Sequence, residues 1–317
     1  MQTKSRDAST TVRTGVRRLE IDAEQAGQRI DNFLRGVLPG LPKGRLYRML
    51  RRGEVRVNGG RVRAEYRLEA GDEVRVPPAT LKAPVSAPEP GLAERLEARI
   101  LFEDTRLLVV DKPAGIAVHG GSGIRHGVIE LLRAARPDLR DLSLAHRLDR
   151  DTSGCLVLTK KRSALRRLHE LFRNGEVDKN YLALAVGDWQ FGDIVIDKPL
   201  LVTNRRGGER HVIVSEKGKP ASTRVSLSEA RRSASLLRCR PLTGRTHQIR
   251  VHLAAVGHPI AGDDRYGGEE ADATLVRQGP GRLFLHAQSI AFPDASGNEQ
   301  LFTAPLPDEL ERYLEKL

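Results

Sequence analysis

The chain has 317 residues, 39% of them hydrophobic and 30% charged, with a formal net charge of +12 and an isoelectric point near 10.1. That length allows one large domain and one small one, and no run approaches the roughly 18 apolar residues a membrane span needs. Residues 1–18 lack the apolar core of a secretory signal, and Cys155 and Cys239, without paired spacing, indicate neither a disulfide framework nor a zinc site, so the cytoplasm is the expected compartment.

In chain order, residues 1–18 are expected to form a disordered basic tail. Residues 1–78 carry 17 Lys/Arg against 10 Asp/Glu, an excess of +7, whereas the longer remainder carries +5. This distribution points to a polyanionic partner for the N-terminal part. Residues 19–78 have the patterning of a small module. "QRIDNFLRGVL" puts Ile30, Phe33, Leu34 and Val37 on one helical face, and "KGRLYRMLRRG" forms a second helix stopped by Gly53. In that second helix Leu46, Met49 and Leu50 form the inward arc, while Arg45, Arg48 and Arg52, with Lys43 at the start, offer a cationic face. "EVRVNGGRV" alternates and turns at Asn58-Gly59, a strong hairpin signal, and "LEAGDEVRV" closes the module with another strand. With a second basic run around Arg61–Arg67, the module suits phosphate contact.

Residues 79–98, which contain "ATLKAPVSAPEPGL", have a proline-rich linker composition. Residues 99–317 alternate short strands ("LLVVDK", "CLVLTK", "YLALAVG", "SLLRCRP") with helices ("GVIELLRAAR", "SALRRLHELFRNG", "HQIRVHLAAVG"). Strands dominate and several connections are too short for parallel crossovers, so the expected class is α+β around a mixed, largely antiparallel sheet.

Common catalytic loops are absent: no GxxxxGKS/T, no GxGxxG opening a helix, no GxSxG and no HExxH. His247 and His252 are five apart, on different sides of a helix and without a carboxylate cluster, so no metal is expected. Three charged stretches do stand beside buried-looking runs: "HRLDRDTSG" (146–154), "DKNYLALAVG" (178–187) and "TGRTHQIRVH" (243–252). They supply a carboxylate in Asp149, an aromatic ring with a polar tip in Tyr181 and a guanidinium in Arg245. Such a set suits chemistry at a sugar anomeric carbon, where positive charge develops. The residues alone do not specify the reaction. A silent RNA-binding protein and an RNA glycosidase that releases the base stay open.

"HRLDRDTSG" resembles the signature of the pseudouridine synthases acting on large-subunit ribosomal RNA. "DKPAGIAVHGGSG", "KNYLAL", "TGRTHQIRVH" and "GHPIAGDDRYG" follow that family's order, and "RIDNFL…KGRLYRMLRRGEVRVNG" resembles an S4 RNA-binding domain. The resemblance covers roughly Leu19 to the C-terminus and is nearest to the class in which an S4 domain precedes the catalytic domain. The tail 1–18 has no counterpart there, and Cys155 stands where an aliphatic residue is more usual.

This resemblance implies a pseudouridine synthase fold that isomerises uridines of 23S rRNA, free or within a pre-ribosomal particle. It implies no cofactor or metal, no membrane and no obligate protein partner, and a monomer. It makes Asp149 the essential aspartate, Arg245 the arginine that pairs with it, Tyr181 the ring that stacks on the target base, and Arg147 the residue that fills the space left by the flipped nucleotide. Lys43, Arg45, Arg48 and Arg52 are then the RNA contacts of the S4 module. Asp151, Thr152 and Ser153 are expected to fix the turn, and His146 to be scaffold.

Overall fold

The computed structural model describes residues 11–82, 91–120, 126–139, 141–204, 210–267 and 280–317. Residues 1–10 of the expected tail, 83–90 of the expected linker, and the Gly-Ser-Gly end of "DKPAGIAVHGGSG" lie outside the described residues. The chain divides into two compact units, Met1–Ala87 and Pro88–Leu317.

The first unit contains β1 (Thr11–Arg13), β2 (Arg17–Glu20), α1 (Ile30–Val37), α2 (Lys43–Arg52), β3 (Arg56–Val57), β4 (Glu73–Val76) and β5 (Thr80–Lys82). Helix α2 ends where Gly53 takes φ 67°, a left-handed cap that a glycine adopts without strain. Its inward residues Leu46, Met49 and Leu50 pack with Ile30, Leu34, Val57 and Val74 into one core. Each such side chain fully removed from water contributes about 1.5–3 kcal/mol. Asn58 and Gly59 take positive φ (48° and 77°) and Val57 and Gly60 exchange backbone hydrogen bonds, so the expected tight turn is formed. The chain after it does not return as a strand, however. β3 pairs with β4 instead, in a three-stranded sheet ordered β2-β4-β3.

Two expectations are corrected at their edges. Residues 11–13 and 17–18 of the expected tail are in strands rather than disordered, because β2 pairs with β4, and β1 with β5. Arg18 and Glu73 form an ion pair across the first of these ladders. The expected linker likewise includes β5 and, at its other end, α3 (Leu92–Glu97).

The second unit continues with β6 (Ile100–Glu103), β7 (Leu107–Lys112), α4 (Val128–Ala135), β8 (Ser143–Leu144), β9 (Ser153–Thr159), α5 (Arg162–Asn174) and β10 (Asp178–Val186). Then follow β11 (Ile194–Asp197), β12 (Leu200–Asn204), β13 (Arg210–Val214), β14 (Ser222–Arg231), β15 (Ala234–Pro241), α6 (Gln248–Ala254), β16 (Leu285–Pro293), β17 (Glu299–Thr303) and a C-terminal helix (Asp308–Leu314). Ten strands form one sheet, β11-β14-β15-β10-β16-β9-β7-β6, with β17 on β16 and β8 on β9. Among the described residues only β16 and β9 pair in parallel; the class is α+β and mostly antiparallel.

The continuous apolar runs are explained by helices on both faces. Leu108, Val110, Leu156 and Leu158 pack beneath α4, while Leu107, Val109, Cys155 and Val157 pack beneath α5. Cys155 fits there as a small apolar side chain, its thiol pushed up to about 12 by burial. A third core joins β10 and β15 to α6 and the C-terminal helix through Leu184, Leu237, Leu253 and Leu310. Asp149 lies on the connection between β8 and β9, at one end of this sheet.

Candidate active site

The stretch 145–152 alternates sharply. Ala145 and Leu148 are buried, Arg147 is exposed and Asp149 is half-buried. Two contacts fix the turn. His146 Nε2 accepts the N–H of Val157 at 3.0 Å, and Thr152 N–H donates to the carbonyl of Asp149 at 3.3 Å. Burial pushes His146 down to about 4, which keeps its ring a neutral acceptor and fits the scaffold role expected of it. Arg150 turns outward onto Asp151 at 3.0 Å, and Thr152 and Ser153 are buried.

Beneath this turn Lys112 is fully buried. Its ammonium donates to three carbonyls, those of Pro113, Ile116 and Arg150, at 2.8, 2.9 and 2.9 Å. The last of these immediately follows Asp149. Burial lowers the lysine to about 7, against the opposing charges of Asp151 and Asp149. On the other flank, buried Ser153 donates to His286 Nδ1 at 2.9 Å, where β9 meets β16. Gly154 follows with φ 110°, and a Cβ there would lie 2.2 Å from the Ala287 carbonyl oxygen. Only glycine lets the two strands approach this closely.

Asp149 opens onto a cavity of about 600 Å³, a size common for small-molecule sites, which Arg147, Tyr181 and Arg245 also line. Tyr181 reaches it from β10, beside an irregularity where Tyr181 pairs with Ala287 and Asn180 with Ser289. The skipped residue Gln288 is a bulge, of the kind that re-aims side chains. Burial first, and then the Asp149 charge, push the Tyr181 phenol above its ordinary range, so the ring stays neutral.

Arg245 is brought to the cavity but not to the aspartate. Its Nε donates to the Pro220 carbonyl at 3.0 Å, and among the described residues no ion pair joins it to Asp149. The expected pairing is therefore corrected, because Arg245 sits on an exposed turn before α6 rather than within the helix. The guanidinium whose charge couples to Asp149 from inside the fold is Arg250, which is 3% exposed. Its Nε and Nη2 make a bidentate pair with Asp263, 2.7 Å each, and Asp263 Oδ1 also accepts the backbone N–H groups of Arg265 and Tyr266. His247 completes this wall, with Nε2 3.9 Å from Asp149 Oδ2. Arg250, His247 and Lys112 were not singled out as site residues from the sequence. The signals were present in "TGRTHQIRVH" and "DKPAG", but which charges face inward depends on partners far along the chain.

In the first unit, Lys43, Arg48 and Arg52 are exposed on α2, as the helical wheel requires. Lys43 lies over the Tyr47 ring at 5.6 Å. Arg45 is different: it makes a bidentate contact with Glu54 at 2.8 and 3.3 Å. Three further arginines, Arg51, Arg61 and Arg63, border a shallow cavity of about 490 Å³ with Tyr47 and Glu65. Among the described residues no group of histidine, cysteine and carboxylate side chains could hold a metal ion, and no helix is long and apolar enough to cross a membrane.

The family model for RNA pseudouridylate synthase matches residues 106–255, and that for the S4 domain matches residues 28–74. "Ribosomal large subunit pseudouridine synthase C" of Haemophilus ducreyi is 52% identical over 312 residues, 97% of each chain. The protein of the same name from Escherichia coli (strain K12) is 52% identical over 308 residues, covering 95% of this chain and 97% of its own. Among solved structures, Human RNA Pseudouridylate Synthase Domain Containing 4 has a TM-score of 0.60 at 27% identity, covering 71% of this chain and 95% of its own. Human RNA Pseudouridylate Synthase Domain Containing 1 has a TM-score of 0.57 at 30% identity, covering 69% and 87%.

Proposed function

The chain belongs to the RNA pseudouridylate synthase family, with an S4 domain ahead of the synthase region, and from that premise we propose that it isomerises uridines of large-subunit ribosomal RNA at the Asp149 cavity. The observation that carries the reading is one carboxylate at the mouth of a nucleoside-sized cavity, beside the neutral ring of Tyr181. In the reaction the N1–C1′ bond of a uridine breaks and a C5–C1′ bond forms. One proton leaves C5 and one arrives at N1, so atoms balance without any co-reactant.

An ionised Asp149 is the group that acts at the sugar, either at C1′ itself or on the sugar proton beside it. The Arg250 guanidinium, saturated by Asp263, adds a positive field without being free to swing onto the carboxylate. Tyr181 serves as the platform for the uracil, and its phenol stays protonated because a phenolate would be buried and would face Asp149. A uridine within paired RNA must be flipped out to reach this depth, at a cost of a few kcal/mol. Exposed Arg147, two residues before Asp149, is suited to occupy the vacated space. Arg245 keeps a role at the cavity rim, as a contact for RNA rather than as the partner of Asp149.

The S4 unit supplies phosphate contacts through Lys43, Arg48, Arg52 and, less freely, Arg45. The proposal extends to residues 19–78 as the RNA-binding module and 99–317 as the catalytic one. It also extends to a monomer that works in the cytoplasm without an obligate protein partner, consistent with two free, buried cysteines. The test is Asp149→Asn, assayed by pseudouridine formation in rRNA and by release of free uracil. Pseudouridine should vanish while RNA affinity and melting temperature stay near wild type. Appreciable turnover by the variant, or uracil release by the parent, refutes the assignment.

A further inference from the structure

His247 stands at the start of α6 with φ 53°, a left-handed conformation unfavourable to a residue with a Cβ. Its side chain is 11% exposed and touches polar partners on two sides. Nε2 lies 3.9 Å from Asp149 Oδ2, and Nδ1 lies 2.8 Å from the Tyr266 hydroxyl. The Tyr266 oxygen in turn accepts the backbone N–H of Val212 at 3.1 Å. A backbone N–H can only donate, so that contact occupies a lone pair of the phenol oxygen. Among the described residues Nδ1 is the acceptor within reach of the Tyr266 hydroxyl, which therefore donates to it. An imidazole that accepts at Nδ1 carries its proton on Nε2, the nitrogen facing the carboxylate.

The Tyr266 ring is held as firmly as its hydroxyl. The Arg250 guanidinium lies 5.0 Å from its centroid, and His211 stacks at 5.3 Å with an interplanar angle of 22°. The tautomer of His247 is thus set by groups on β13 and on the turn that follows α6.

We infer that His247 is a positioning residue for Asp149: its Nε2–H, aimed by the Val212–Tyr266 chain, holds Oδ2 and leaves Oδ1 to meet the flipped nucleotide. The inference rests on Asp149 being the reactive carboxylate. At 3.9 Å the free enzyme shows an electrostatic contact rather than a hydrogen bond. Such contacts commonly tighten once substrate is bound. Burial holds the imidazole below its ordinary pKa, with Arg250 and Arg265 acting in the same direction and Asp149 and Asp263 opposing. At neutral pH it is an uncharged donor that orients the carboxylate without forming a closed ion pair with it.

The test compares two substitutions that each retain half of the ring's contacts, read by single-turnover kinetics on an rRNA fragment. In His247→Gln the amide nitrogen reaches the place of Nε2, and the rate should stay within about threefold of wild type. In His247→Asn the amide reaches only the place of Nδ1; it keeps Tyr266 but has nothing to offer Asp149. Its kcat should fall by up to about 100-fold, the scale of a misplaced reacting group, with KM nearly unchanged. Tyr266→Phe, which frees the tautomer, should fall between the two. Melting curves of all three establish that they fold. Equal losses in the Gln and Asn variants, or a loss confined to KM, overturn the inference. An inactive Asp149→Asn beside a fully active His247→Asn overturns the inference alone, whereas turnover by Asp149→Asn brings down the carboxylate assignment and the inference with it.

Discussion

Replacing Asp263 with asparagine should damage stability and activity by separable routes. Asp263 is buried, and its two oxygens take Arg250 Nε and Nη2 at 2.7 Å each. In the variant an amide N–H faces either Arg250 Nε–H or the backbone N–H groups of Arg265 and Tyr266, so one donor opposes another in both orientations. Among the described residues the only other carboxylate placed on Arg250 is Asp264, at 3.6 Å and 75% exposed, too solvated to replace the lost charge. Leaving one partner of a buried pair unmatched costs about 3–5 kcal/mol. For a unit of this size that corresponds to a fall in Tm of about 6–20 °C, readable by circular dichroism. The double variant Asp263→Leu with Arg250→Met removes both charges and should recover part of the lost stability, the backbone N–H groups of Arg265 and Tyr266 still lacking their acceptor. Its kcat should stay depressed, because the Asp149 cavity then lacks its cationic wall. A single variant that melts within about 2 °C of wild type refutes the reasoning, and so does a double variant with restored kcat.

Removing Arg48 or Arg52 should flatten the dependence of log affinity on log salt by about 0.7–0.9 per lost phosphate contact, measured by fluorescence anisotropy. Arg45→Ala should flatten it less, because Glu54 already holds that guanidinium; equal slopes for all three would contradict this. Lys112 has a folded pKa of about 7 against an ordinary 10.5, so between these values the unfolded chain keeps a proton that the fold has released. Stability should therefore gain from this group as pH rises from about 7 toward 10.5, and Lys112→Met should lose that gain in a series of melts. Gly154→Ala should cost about 1–3 kcal/mol for its backbone angle alone, with the clash against Ala287 added. An unchanged urea midpoint would show that β9 and β16 can move apart without penalty.

Much of the fold was legible because its signals are local. The runs 107–110 and 155–158 are apolar at every position, and they lie in strands covered on both faces. Gly53 and Asn58-Gly59 act where their backbone preferences put them. What was not legible depends on partners distant in sequence. Nothing around Thr11–Arg13 announces that β5, nearly seventy residues on, will pair with it. The hairpin signal at Asn58-Gly59 was right about the turn and wrong about the returning strand, since β4 offered β3 a better ladder. At the site, Asp149 and Tyr181 line one cavity. The choice between Arg245 and Arg250 could not be read from a helix of period 3.6 without knowing that Asp263 would fold back beneath it. Nothing in "LLVVDK" marks Lys112 for burial, which is understandable only from three carbonyls converging on it.

The position of β16 has a consequence for how the enzyme is made. This strand, encoded near the end of the chain, inserts between β10 and β9, both of which emerge from the ribosome more than a hundred residues earlier. Until Leu285–Pro293 is synthesised, the sheet exists at most as two parts, with the edge of β10 bare along 178–183 and that of β9 bare at Ser153 and Gly154. The turn bearing Asp149 adjoins one edge and Tyr181 lies on the other, so neither part holds a complete site. A nascent or prematurely ended chain can present its basic N-terminal module to RNA but cannot modify it. Activity should appear in one step, late in translation, when a single strand closes the gap. That late closure also leaves the β10 edge open to wrong pairing while residues 187–293 are made, about a third of the chain, which makes this interval the most exposed to aggregation.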